Sequence, residues 1–184
     1  RYPVVDAFAG PGGLGEGFAA CRGENDLPRF QNLVSIEHDP DSHRTLLLRH
    51  FFRSFLPGEV PESYYDYLHG SIPLKELYRR YKVQYAVANK TALRISLGPT
   101  THKEVLGIIK ERLAGKRKWA LVGGPPCQAY SLVGRSRMMG NPEFESDERH
   151  FLYREYLKII RDHRPPVFVM ENVKGLLSAR VKGQ

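Results

Sequence analysis

The chain has 184 residues, 41% of them hydrophobic, and a formal net charge of +8. That length suits one domain with a sizeable core, and with no apolar run of bilayer length and no signal-peptide pattern nothing argues for a membrane or exported class. Cys21 and Cys127 are the only cysteines; two so far apart fit a reducing, intracellular (cytoplasmic) compartment better than a disulfide framework.

In chain order, Tyr2 to Phe8 reads as a buried strand running into Ala9-Gly10-Pro11-Gly12-Gly13, followed by a helix from Gly13 to Cys21. Glycines at such a turn admit positive φ and close approach of a ligand, while the helix end offers unpaired N–H groups. Gly10-x-Gly12 lacks a third glycine at the dinucleotide-fingerprint spacing, so the residues alone say only that some ligand approaches the turn. Gly13 and Gly15 read equally well as ordinary turn glycines. A second strand, Leu33 to Ile36, ends in Glu37-His38-Asp39, where a carboxylate can accept from both hydroxyls of a ribose. Asp39 and Pro40 then have the chemistry of an N-cap and first helical position, opening a helix through Leu46, Leu47, His50 and Phe51.

Phe52 to Gly70 is rich in aromatics and broken by Pro57, Gly58 and Pro61, with a weak strand candidate before Gly70. Lys75 to Gly98 shows no clear period and is expected to be an insertion, partly disordered. Thr101 and Glu104 have capping-box spacing for a helix whose apolar face carries Val105, Leu106, Ile109 and Leu113 and which ends at Gly115. A helix between two strands is what a right-handed parallel crossover requires.

The stretch Trp119 to Arg135, WALVGGPPCQAYSLVGR, holds the sharpest chemical signal. Four apolar residues, Trp119 to Val122, form a short buried strand that Gly123-Gly124-Pro125-Pro126 stops abruptly. The prolines stiffen the loop holding Cys127 at the carboxyl end of a central strand, where open α/β sheets bind ligands. Cys127 is thus a candidate nucleophile, against the plainer reading of one more small buried apolar residue. Beyond it, Ser146 or Asp147 can cap a helix bearing Leu152, Tyr156, Ile159 and Ile160, which Pro165 and Pro166 stop. Val167 to Met170 is expected to be another short buried strand with Glu171 at its carboxyl end, a carboxylate that a helix cap or salt bridge would also explain. Basic clusters at Arg79, Arg80 and Lys82, at Lys116 to Lys118, and at Arg135 and Arg137 give the positive charge a polyanionic partner to meet, with solvated surface the better account of the first. No His or Cys cluster has metal-ligand spacing.

Pro125 to Gln128 (PPCQ) resembles the catalytic motif of the cytosine-5 DNA methyltransferases. Asp6 to Phe18 (DAFAGPGGLGEGF) is similar to that family's cofactor motif, and Glu171-Asn172-Val173 to its base-binding motif, all three in the family's order. The resemblance implies an α/β, Rossmann-like S-adenosylmethionine-dependent methyltransferase fold, a mostly parallel sheet with helices on both faces. It also implies double-stranded DNA as partner and Cys127 and Glu171 as catalytic residues, in enzymes that include those of restriction-modification systems. The cofactor would meet Phe8, Ala9, Gly10, Gly12, Gly13, Glu37, Pro125 and Leu152. His38 stands where a large side chain packs on the adenine, and a surface-loop histidine is the equal alternative. The family's third cofactor motif falls near Gly70-Ser71-Ile72: Ile72 fits, and either Ser71 or Asp66 meets the adenine amino group. Gln128, Ser131, Arg135 and Arg137 would contact DNA from a loop that closes over it.

Two other activities remain open under the same resemblance, tRNA cytosine-5 methylation and a non-catalytic DNA-binding module. The chain is expected to be the amino-terminal part of a catalytic domain, truncated before the target-recognition region and a final cofactor-pocket helix. Such a part should self-associate through an open sheet edge. In a bacterium the protein would be expected at the nucleoid.

Overall fold

Five strands, all parallel, form the sheet of this computed structural model, which describes residues 1–24, 26–126 and 152–172. In chain order the elements are β1 (Tyr2–Ala7), α1 (Gly13–Ala20), β2 (Phe30–Glu37), α2 (Pro40–Arg53), α3 (Glu62–Leu68), α4 (Leu74–Arg80), α5 (Lys82–Thr91), β3 (Ala92–Arg94), α6 (His102–Leu113), β4 (Ala120–Gly123), α7 (Leu152–His163) and β5 (Val167–Met170). The strand order is β3-β2-β1-β4-β5. Chain direction across the sheet therefore reverses between β1 and β4, whose register runs from Val4↔Ala120 to Ala7↔Gly123. A doubly wound sheet binds ligands outside the carboxyl ends of its strands at that switch point.

Strand alternation divides the core between the two faces. Val5, Ala7, Val34, Ile36 and Leu121 pack with Val105, Ile109 and Leu113 of α6 and Tyr156 and Ile159 of α7. Val4, Ala120 and Val122 pack against Leu14 and Phe18 of α1. Leu46, Leu47 and Phe51 of α2 form a third cluster with Leu77 of α4, Ala88 of α5 and Ala92 of β3. Asp39 caps α2, its Oδ1 accepting from the Ser42 N–H at 2.8 Å with Pro40 in the first turn, as the residue types require. Tyr156 fastens the sheet from α7: its hydroxyl reaches Val169 O at 2.9 Å and Leu121 O at 3.2 Å, joining β5 to β4.

Four expectations are corrected. Lys75 to Gly98 is ordered as α4, α5 and β3, because Tyr78, Tyr81 and Tyr85 fall one or two turns apart and anchor the segment on α2; Tyr78 and Tyr81 lie edge-on to Phe51, and Tyr78 stacks on Tyr85 with centroids 4.4 Å apart. The third strand is accordingly Ala92–Arg94, and the stretch before Gly70 is helix α3. Thr101 does not cap α6 through its side chain; its hydroxyl donates instead to Ser96 O at 2.6 Å and folds the loop after β3. β5 is not a buried strand: Val167 and Phe168 are 55% and 53% exposed, since it is the last strand of the sheet among the described residues. The proposed caps Ser146 and Asp147 lie outside the described residues.

Candidate functional site

The carboxyl ends of β1, β2 and β4 open onto a cavity of about 640 Å³. Its apolar wall is Phe8, Ile36, Ile95, Leu97, Pro126 and Leu152, and its polar groups include Glu37, His38, Thr101, Glu155 and Lys158. The turn after β1 is built for close approach. Phe8 itself has φ 60°, Gly10 φ 56° and Gly12 φ 91°, and holding a non-glycine residue such as Phe8 there costs on the order of 1 kcal/mol. A Cβ on Gly12 would come within 2.8 Å of Leu46 Cδ1, so glycine at this position also lets α1 begin against α2.

Glu37, 8% exposed at the end of β2, is fixed by two backbone donors. Its Oε2 accepts from Gly10 N–H at 2.8 Å and its Oε1 from Asp39 N–H at 2.7 Å. One carboxylate thus ties the β1 turn to the β2 end and keeps lone pairs free for a diol at the cavity. His38 lies beside it, Nδ1 3.1 Å from Glu37 Oε1, with most of its ring in solvent. Glu155 and Lys158 on the far wall belong to a chain of polar contacts between α6 and α7: Lys158 Nζ is 2.6 Å from Glu155 Oε1, His102 Nδ1 3.4 Å from Glu155 Oε2, and His102 Nε2 3.0 Å from Asp162 Oδ2.

At the β4 end, Glu171 N–H donates to Gly123 O at 2.8 Å, and Asn172 Nδ2 to Pro125 O at 3.3 Å. A Cβ on Gly124 would stand 3.9 Å from Glu171 Oε2, so this carboxylate lies over the Gly124-Pro125 turn. Glu171 is exposed. Cys127, the next residue in sequence after Pro126, lies outside the described residues together with Gln128, Ser131, Arg135 and Arg137.

Behind the cavity is a carboxyl group that spacing did not single out. Asp6, 1% exposed in β1, has no hydrogen-bond partner on either oxygen among the described residues. Burial, reinforced by the carboxylates of Glu37 and Glu171, pushes it up to about 7, while the adjacent Gly15 N–H pulls the other way.

Of the expected cofactor residues, Phe8, Glu37, His38 and Leu152 line the cavity, and Ala9, Gly10, Gly12 and Gly13 form the turn at its edge. Pro125 stands beside it, and Pro126 is the proline on the wall. Ser71, Ile72 and Asp66 are not at the cavity: Asp66 lies in α3, and Ile72 packs in the α2–α4–α5 cluster. Ser96 and Leu97, carried there by β3, line the cavity instead. The signal for these was the alternation of Leu93 to Leu97 before a Gly98-Pro99 turn.

Residues 100–183 match the C-5 cytosine-specific DNA methylase family. Over 96% of its length the chain is 31% identical to the type II methyltransferase M.Bpa9945I of Bacillus paralicheniformis, covering 42% of that protein. It is 27% identical to the type II methyltransferase M.AquIA of a Picosynechococcus species, over 95% of this chain and 50% of that protein. Against the type II methyltransferase M.FnuDI of Fusobacterium nucleatum it is 38% identical over 42% of this chain and 20% of that protein. The chain spans half or less of the length of these relatives. No solved structure matches it significantly.

Proposed function

We propose, from the match of residues 100–183 to the C-5 cytosine-specific DNA methylase family and the likeness to type II methyltransferases, that the chain forms the cofactor and nucleophile part of a DNA (cytosine-5-)-methyltransferase that uses S-adenosylmethionine. The observation that carries this reading is the Glu37 carboxylate, fixed by Gly10 and Asp39 N–H groups at the mouth of a largely apolar cavity beside the Gly123-to-Pro126 turn and Glu171. A diol acceptor beside apolar walls formed by Phe8, Ile95, Leu97 and Leu152 suits a nucleoside with a ribose and a flat base. S-adenosylmethionine, when bound, would supply an electrophilic methyl group, its S–CH3 bond breaking on transfer to leave the neutral thioether.

Cytosine C5 is a poor nucleophile, so the ring must first be activated. In the proposed reaction the Cys127 thiolate adds to C6, forming an S–C6 bond and placing the ring's electron pair at C5. Glu171, at the strand end beside the cysteine turn, hydrogen-bonds or protonates N3 and relieves the charge that builds on the ring. C5 then takes the methyl group, a base removes the C5 proton, and elimination breaks the S–C6 bond and returns the thiolate. A stacked base is out of reach of this turn, so the cytosine is flipped from the duplex at a cost of a few kcal/mol. Gln128, Ser131, Arg135 and Arg137 would hold the DNA around it.

The test is covalent capture. The intact protein with cofactor and duplex DNA bearing 5-fluorocytosine at its target should form an adduct stable to denaturation, because fluorine cannot leave as a proton. An adduct with fluorocytosine-containing tRNA and none with DNA would replace the substrate. No adduct with either would remove the nucleophile assignment.

A further inference from the structure

We propose that Asp6 is a positioning residue that lets the protein discriminate the cationic methyl donor from its neutral-thioether product, by giving up a proton when a sulfonium is bound and taking it back when the charge is gone. The inference rests on the proposed function in taking S-adenosylmethionine as the cofactor.

The geometry begins with the surroundings of this carboxyl. Asp6 sits in β1 opposite Val122 of β4 and Ser35 of β2, two residues before the Phe8 turn. It faces α1 at Gly15, where a Cβ would stand 2.7 Å from Asp6 Oδ2 and 2.9 Å from Asn32 Nδ2, so only glycine leaves it room. The nearby side-chain groups are engaged elsewhere: Asn32 Nδ2 donates to Gly15 O at 3.0 Å, and Ser35 Oγ is bonded to His50 Nε2 at 2.9 Å. Asn32 Oδ1, like both Asp6 oxygens, has no partner among the described residues. An isolated buried carboxylate is costly, and the economical state is the neutral acid.

The charged neighbours do not change that balance. Glu37 from β2 and Glu171 after β5 both disfavour ionisation of Asp6, and Tyr156 of α7 is itself raised partly by the Asp6 charge. On α2, His50 is held neutral by burial, its pKa lowered to about 4, and Arg53 is taken up by Glu16 of α1. The group therefore titrates near neutrality, at about 7. A cation arriving at the turn two residues further along β1 favours the ionised form, and the thioether left after methyl transfer does not. By linkage, whatever lowers the Asp6 pKa is itself bound more tightly once Asp6 is ionised.

The experiment is calorimetric titration of the intact protein with S-adenosylmethionine and with S-adenosylhomocysteine. It is run between pH 5.5 and 8.5 in buffers of different ionisation enthalpy. The sulfonium also lowers the pKa of the donor's own amino group relative to the product's, so the comparison is read from pH 5.5 to about 6.5, where both amino groups are protonated, and against Asp6→Asn over the rest of the range. The donor should release more protons than the product in that acid part of the range. The donor-to-product affinity ratio should rise with pH by up to about tenfold for each unit by which the sulfonium lowers the Asp6 pKa. In Asp6→Asn the ratio should lose this component and keep only the change due to the donor's amino group. Equal proton release for both ligands by the wild-type protein below about pH 6.5 overturns the proposal even if the variant does not fold, and so does an Asn variant with the same pH dependence. Failure of the protein to bind either compound overturns the cofactor reading itself.

Discussion

Asp6→Asn should change how stability depends on pH more than any other single substitution in the sheet. The carboxyl has a folded pKa near 7 against an ordinary value of 3.8. A group raised on folding contributes its stability fully below its unfolded pKa and loses it as pH rises towards the folded one, so the wild-type protein should weaken from about pH 4 to pH 7. Integrating that proton difference, the loss attributable to Asp6 between pH 5 and pH 8 is about 2 to 3 kcal/mol. The amide keeps the shape and cannot ionise, so its profile should lack this component. Urea unfolding of both proteins, without ligand, at half-unit steps from pH 5 to 8 measures the difference directly. Parallel profiles would refute the reasoning, because they would mean that Asp6 is ionised in the folded protein and has a partner there.

Gly123→Ala should cost several kcal/mol by urea unfolding, since its Cβ would collide with Ala7 O of β1 and stand 3.0 Å from Tyr156 Cε2 of α7; a loss below ~1 kcal/mol would refute that register. Gly107→Ala, on the exposed face of α6 with nothing within 4 Å of the new methyl, should instead stabilise by about 0.5–1 kcal/mol. Glu37→Gln leaves either Gly10 or Asp39 N–H without its acceptor and should weaken cofactor binding tenfold or more by calorimetry; unchanged affinity would remove Glu37 from the site. The exposed Val167, Phe168 and Val169 on β5 should make residues 1 to 184 self-associate in light scattering, and a strictly monomeric chain would count against that.

How much of this was legible depends on which signals are local. β1, the glycine turn, the Asp39-Pro40 start of α2, β4 and β5 are each marked by residues adjacent in sequence, an apolar run ended by glycine, proline or an N-cap, and they stand where spacing put them. The position of Glu37 is legible for the same reason: an acid directly after a buried strand can turn back onto the preceding strand's turn. Exposure of β5 was not legible, because VFVM reads alike in the middle of a sheet and at its edge; only the strand order distinguishes the two. Asp6 was missed as a distinct group because its character comes from the absence of neighbours, which no local pattern records.

The displaced third cofactor position shows the same division at longer range. Counting forward from Glu37 to the next plausible strand end lands on Ser71-Ile72, but that count assumes a short path from α2 to β3. Here α3, α4 and α5 intervene, held on Phe51 and Phe55 of α2 by tyrosines whose spacing is mixed with charged and small residues and so shows no clean apolar period. An inserted layer of this kind moves the strand in sequence without moving it in space: β3 still pairs with β2 from Ser35↔Ala92 to Glu37↔Arg94. The residues after β3 must therefore arrive beside Glu37, and Ser96 and Leu97 do, on the cavity wall. The sheet register is the coordinate that positions the residue, and sequence distance is only a substitute for it where loops are short.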